Sequence, residues 1–162
     1  MIVGVINGSR ILITKYKSGF RHNALVADFM EIGETVEETV RREVMEETGL
    51  RVKNIQYYES QPWGIASDIL MGFYCDVDGS TEIHRDDREL GYAEWVERKD
   101  IILQPTDHSL TNEMMRKFRY GYPEKILETG DGSGSRFRIG EIEMADRVRK
   151  RGKDDEVSGK AF

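Results

Sequence analysis

The sequence predicts one α/β domain laid out as strands, helix, strands, helix, and three features carry that reading. β-rich runs open the chain on either side of Asn7-Gly8, a capped amphipathic helix follows near residue 36, and further β-rich runs lead to a second amphipathic stretch ending at Arg119. With 162 residues and 38% hydrophobic side chains, the chain suits one core rather than two.

Ile2 to Ile6 and Ile11 to Tyr16 read as the first two strands, because Asn-Gly supplies the positive φ angles of a tight hairpin. Lys17 to Asn23 is polar, carries Gly19 and reads as a loop; Ala24 to Met30 is a short apolar run placed to re-enter the sheet. Thr35 followed by Glu38 forms a capping box, Val36, Val40 and Val44 recur at helical spacing, and Gly49 stands where a left-handed cap belongs. The spacing predicts a helix over 36–48. Leu50 to Tyr58, Ser67 to Val77 and Tyr92 to Val96 read as strands, and His108 to Arg119 as a closing helix.

The domain is expected to occupy 1–122. From there the texture turns to mixed charge and glycine, with Gly130-Asp131-Gly132-Ser133-Gly134-Ser135 and a basic run from Arg147 to Lys153, so 123–162 reads as a flexible tail. Arg138 to Val148 has the makings of one helix on a partner.

Lys and Arg number 24 against 30 Asp and Glu, a formal charge of −6, which disfavours general nucleic-acid binding. Small anionic ligands fit if a cation bridges them. Cys75 stands alone, excluding an internal disulfide framework or a cysteine-based zinc site and fitting a reducing cytosol. No apolar run approaches the length of a membrane span, and Asn7-Gly8-Ser9-Arg10 arrives too early for a signal sequence, so a cytoplasmic protein with no membrane partner is expected.

The acidic helix carries the chemistry. At about 100° per residue, Glu43 and Glu47 fall one turn apart on the side marked by Val40, the side the helix must bury, with Glu46 on its flank. Two like charges about 5 Å apart cost on the order of 3 kcal/mol at an effective dielectric near 20. Glu38 and Arg42 form a favourable i,i+4 pair, but Arg42 is expected to project away from Glu43 and Glu47 and cannot neutralise both. A hard cation can. Oxygen donors favour magnesium, manganese or calcium over zinc, and His22, His84 and His108 are scattered and assigned no metal.

The stretch from Asp28 to Leu50 resembles the Nudix box, G-x5-E-x7-R-E-U-x-E-E-x-G-U with U aliphatic. Glu34, Arg42, Glu43, Val44, Glu46, Glu47, Gly49 and Leu50 fill every place after the first, where Asp28 replaces the usual glycine and adds a carboxylate. The resemblance implies a Nudix α/β/α sandwich around a mixed β-sheet, and hydrolysis of a nucleoside diphosphate linked to another group. It implies Mg2+ or Mn2+ that neutralises the pyrophosphate, activates water and stabilises charge developing on phosphorus. Carried over by position, Glu43 and Glu47 are metal ligands, Glu46 a ligand or the base that orients water, Arg42 a brace and the Ala27 carbonyl a backbone ligand. Gly33, Glu34 and Gly49 are structural positions of the box.

Ser60-Gln61-Pro62-Trp63 resembles the start of the S-Q-P-W-P-F-P-x-S element of NADH pyrophosphatases, which lies beside the dinucleotide; Gly64-Ile65-Ala66-Ser67-Asp68 replaces its second half. Losing two prolines and an aromatic removes stiffness and a stacking face, opening the site to altered substrates. Phe29, Gln61, Trp63 and Asp68 are the implied substrate contacts. Arg88-Glu89-Leu90 resembles the family segment that supplies one further metal-binding glutamate, here Glu89. The zinc ribbon that precedes the module in this family has no counterpart in the sequence, and a homodimer is left open.

The resulting expectation is a magnesium- or manganese-dependent hydrolase acting on a small nucleoside diphosphate derivative, splitting NADH or a related dinucleotide into AMP and reduced nicotinamide mononucleotide or their equivalents. ADP-ribose, another nucleotide sugar or NAD-capped RNA are the alternatives within the same chemistry, and a nucleotide-binding module without turnover is the alternative outside it.

Overall fold

Successive side chains of a strand point to opposite faces, and in the central strands both faces are apolar. The computed structural model describes residues 1–19, 21–63, 68–105 and 108–121. In β1 (Ile2–Asn7), Ile2 and Ile6 enter one core while Val3 and Val5 enter the other. β2 (Arg10–Tyr16) divides Ile11 and Ile13 from Leu12 in the same way, and β5 (Asp68–Val77) divides Tyr74 from Phe73 and Cys75. Helix α1 (Val36–Thr48) covers the second core with Val40 and Val44; helix α2 (Leu110–Arg119) covers the first with Leu110, Met114, Met115 and Phe118. Two helices on opposite faces of one sheet give the expected α/β/α sandwich.

The sheet runs in the order β4 (Val52–Trp63), β5, β1, β2, β6 (Leu90–Glu97), with the short β3 (Val26–Ala27) paired to β1. β1 and β5 are parallel and the remaining pairs antiparallel, so the sheet is mixed. Gly72 of β5 lies under α2, where a Cβ would stand 2.8 Å from Met114 Sδ; its missing side chain lets the helix approach.

α1 matches the expected helix at both ends. Two strands differ. The apolar run from Ala24 contributes only Val26–Ala27 and a bridge from Ala24 to Thr14, after which Asp28 and the 70% exposed Phe29 leave the sheet. β4 extends five residues past Tyr58, so Ser60-Gln61-Pro62-Trp63 is strand rather than loop, opposite Met71, Leu70, Ile69 and Asp68. Pro62 is tolerated because β4 is at the edge, where a missing N–H breaks no inner ladder. Residues 64–67 and the tail read from 123 lie outside the described residues, as does the helix considered over 138–148. Among the described residues, no helix is long and apolar enough to cross a membrane.

Candidate active site

The capping box fixes where α1 begins. Thr35 Oγ1 accepts from the Glu38 amide at 3.3 Å, and the Glu38 carboxylate accepts from the Thr35 amide at 2.8 Å. From that start the helical period turns Glu43 and Glu47 inward, leaving them 3% and 2% exposed, while the Glu46 side chain stays 61% exposed. Gly49, at φ 69°, ends the helix and donates its N–H to Met45 O at 2.9 Å.

Arg42 departs from the expectation. Glu38 is committed to the cap, and Arg42 turns toward the acids: Nη1 donates to Glu43 Oε1 and, at 3.2 Å, to Glu46 Oε2. Its other face grips Glu34, with Nε to Oε1 at 2.5 Å and Nη2 to Oε2 at 2.8 Å. The long side chain bends across a turn that Cβ directions alone place out of reach. Glu34, which also accepts from Thr39 Oγ1 at 2.9 Å, holds the guanidinium in place, and Arg42 lowers the Glu34 carboxyl to about 2. Glu47 makes no ion pair among the described residues, so Arg42 leaves one of the two inward acids uncompensated.

The loop before β6 closes the other side. Its backbone caps the orphan carbonyls of α1, the His84 amide donating to Thr48 O at 2.8 Å and the Asp86 amide to Glu47 O at 2.9 Å. Gly49 has a second reason to be glycine here, since a Cβ would meet His84 Cβ at 2.9 Å. The docked loop brings Glu89 to the box acids. A cleft of about 300 Å³ results, lined by Asp28, Glu43, Glu46 and Glu47 on one side and Asp86, Arg88 and Glu89 on the other. Within it, one carboxylate oxygen each from Asp28, Glu43 and Glu47 lie within 4.8 Å of one another.

Burial, with Glu43, Glu89 and Asp28 nearby, pushes the Glu47 carboxyl up to about 8; burial also raises Glu43. At the rim the sign reverses, as Arg88 draws the Asp86 carboxyl down to about 2. Tyr16, at the end of β2, supplies the hydroxyl that faces Glu47, 3.1 and 3.2 Å from its two oxygens. The same hydroxyl accepts from the Ala27 amide at 2.9 Å and lies 3.1 Å from the Ala27 carbonyl oxygen. Converging carboxylates, one of them buried without a cation, make an all-oxygen donor set that fits a hard divalent ion such as Mg2+ or Mn2+.

The structure therefore brings together Glu43, Glu46, Glu47 and Glu89, with Arg42 behind them and Ala27 beside them through Tyr16. Gly33 takes φ 94°, the turn that leads Glu34 under the helix. Phe29, Gln61, Trp63 and Asp68 do not line the cleft. Phe29 is exposed beyond Asp28, while Trp63 and Asp68 pair across β4 and β5. Gln61 is tied to α2: Nε2 donates to His108 O and Oε1 accepts from the Leu110 amide, both at 2.9 Å. Tyr16, Asp86 and Arg88 are site residues that sequence reasoning misses. The signal for Tyr16 is strand alternation, since positions 12, 14 and 16 share the face that α1 covers.

A family model described as the NUDIX domain matches residues 1–118. The chain belongs to the Nudix family. Among curated relatives, the NAD-capped RNA hydrolase NudC of Photobacterium profundum is 42% identical over 104 residues, 62% of this chain and 38% of that protein. The protein of the same name from Photorhabdus laumondii subsp. laumondii is 34% identical over 119 residues, 71% of this chain and 45% of its own length. The Nudix chain thus spans about two-fifths of the length of the curated relatives it matches. Among solved structures, a NUDIX hydrolase from Nitrosomonas europaea superposes with a TM-score of 0.61 at 22% identity, covering 74% of this chain and 72% of that one, a likeness of fold.

Proposed function

We propose that this Nudix chain is a divalent-metal-dependent pyrophosphohydrolase that splits the diphosphate of NADH, or of an NAD-type dinucleotide at the end of an RNA, into two mononucleotide units. The single observation that carries the proposal is the convergence of the Asp28, Glu43 and Glu47 oxygens in a cleft that Glu46 and Glu89 also line. An acidic cleft repels a diphosphate unless a cation intervenes, and these donors suit one. The bound metal would neutralise the diphosphate and lower the pKa of a coordinated water.

In this reading Asp28, Glu43, Glu47, Glu89 and the Ala27 carbonyl hold the metal. Glu46, exposed at the mouth, orients the attacking water or completes the ligand set. Arg42, fixed by Glu34, keeps Glu43 and Glu46 in register with the cleft. Phe29 and Trp63 offer rings to a base or nicotinamide, and Asp68 a polar contact opposite Trp63. Gln61, with its amide on the first turn of α2, anchors the strand that carries Trp63 in place of touching the ligand. Relatives that carry the name NAD-capped RNA hydrolase support an NAD-type substrate.

The test is purified protein with Mg2+ offered NADH, NAD, NAD-capped RNA, ADP-ribose, nucleotide sugars and nucleoside triphosphates, with release of mononucleotide units followed for each. The proposal expects the highest kcat/KM on an NAD-type compound. A higher value on ADP-ribose or a nucleotide sugar would overturn the substrate class, and binding of NADH with no cleavage of any compound would make the chain a binding module.

A further inference from the structure

The hydroxyl of Tyr16 touches two elements that the proposed reading uses separately. Its oxygen accepts from the Ala27 amide at 2.9 Å, so β3 fixes it from one side. Both Glu47 oxygens stand 3.1 and 3.2 Å away on α1, and the Ala27 carbonyl oxygen at 3.1 Å. A phenol has one proton to donate. As a metal ligand Glu47 must be ionised, its carboxylate is then a stronger acceptor than a carbonyl, and an N–H already donating to the phenol oxygen polarises its O–H further, so the proton belongs on the Glu47 side. That assignment leaves the Ala27 carbonyl with its lone pairs available and gives Glu47 a donor where, among the described residues, no cation pairs with it.

The placement of the ring is built into the sheet. Tyr16 ends β2 on the face shared with Leu12, under α1, and the register of β2 against β6 shifts between Lys15 and Tyr16, where Lys15 pairs Tyr92 and Tyr16 pairs Leu90. The extra residue, Gly91, lies on β6, so Tyr16 keeps the alternation that puts positions 12 and 16 on one face of β2. The phenol is thereby directed at the contact between β3 and α1.

We propose that Tyr16 is the positioning residue of the metal site, a single hydroxyl that holds the ionised Glu47 carboxylate and the Ala27 backbone at a fixed separation. The inference rests on the proposed metal-dependent reading and adds to it a residue outside the Nudix box. Tyr16 is not among the residues that line the cleft; it acts through Glu47 and the Ala27 backbone.

The test is direct titration of Mn2+ by electron paramagnetic resonance at one pH, without substrate, on the wild type, Tyr16→Phe, Glu47→Gln and the double variant, with the thermal midpoint of each metal-free protein as the check of folding. Removing a side chain that orients a metal ligand typically weakens the metal about 10- to 100-fold, and that is the expected rise in Kd for Tyr16→Phe. In the Glu47→Gln background the same change should have a much smaller further effect, because the ionised group it acts through is gone and only the Ala27 contact remains. A Tyr16→Phe protein that binds Mn2+ within about twofold of wild type would overturn the proposal, as would an equal loss in both backgrounds, the mark of general loosening. Wild-type protein with no saturable Mn2+ binding would instead refute the metal-dependent reading, and the role of Tyr16 with it.

Discussion

Glu47 is the residue on which the site's physics concentrates. It is 2% exposed, faces other acids, makes no ion pair among the described residues, and its carboxyl is raised to about 8 chiefly by burial. A carboxyl near 4.5 in the unfolded chain and near 8 in the fold binds more protons when folded between those values. Its favourable contribution is therefore complete below about pH 4.5 and is lost as pH rises toward 8. Metal-free protein should lose thermal stability between pH 5 and pH 8, and Glu47→Gln should flatten that slope; an unchanged slope in the variant would place the titrating group elsewhere. Glu34 and Asp86, both lowered to about 2, act in a separate window and withdraw stability only as pH falls below the normal carboxyl range. With metal present, Glu47→Gln should reduce kcat by about 100-fold or more while the circular dichroism spectrum is kept. Arg42→Lys should also lower kcat, because an ammonium cannot hold Glu34, Glu43 and Glu46 through one planar fork. Full activity in Arg42→Lys would show that point charge suffices.

At the scale of elements, legibility follows how local the determining contacts are. α1 is readable from its own residues: Thr35 and Glu38 mark one end, Gly49 the other, and the valines give the buried face. β4 reads short because an edge strand is half wet and its residues need not alternate cleanly, and because Pro62 suggests a break that an edge position makes unnecessary. Arg42 misleads for the opposite reason, since spacing fixes Cβ positions and not the bend of a long side chain. Asp86 and Arg88 are invisible as site residues because the bond from the Asp86 amide to Glu47 O depends on a loop returning across almost forty positions. Gly49 joins the two kinds of contact. Gly49→Ala places a side chain at φ 69° and against His84, so it should destabilise the protein by about 1–2 kcal/mol in urea unfolding through backbone strain alone. Displacement of the docked loop should also weaken Mn2+ binding, because Glu89 arrives on it. A stable variant with normal metal affinity would uncouple the loop from the site.

For the whole molecule, the division of labour is between two cores. The one under α2 contains Phe118, Met114 and Met115 and lies on the other face of the sheet from the acids; the one under α1 contains Val40 and Val44 and carries them. Phe118→Ala should cost about 3–5 kcal/mol of global stability, read by urea unfolding, with little change in Mn2+ affinity of the remaining folded protein. Val44→Ala, smaller in volume change, should disturb the metal more than the total stability suggests, because it sits between Glu43 and Glu47. The sandwich itself is readable from the order of elements together with the box, while the cleft is not, because its two walls come from distant stretches that meet only when the sheet forms. The central claim is that inward acids are stable on this helix because a divalent ion binds among them and meets the substrate's phosphates. An anomalous difference map from crystals soaked in Mn2+ tests it most directly. The account predicts a peak bounded by the carboxylates of Asp28, Glu43 and Glu47; a map without that peak, with those side chains turned out to solvent, would contradict it.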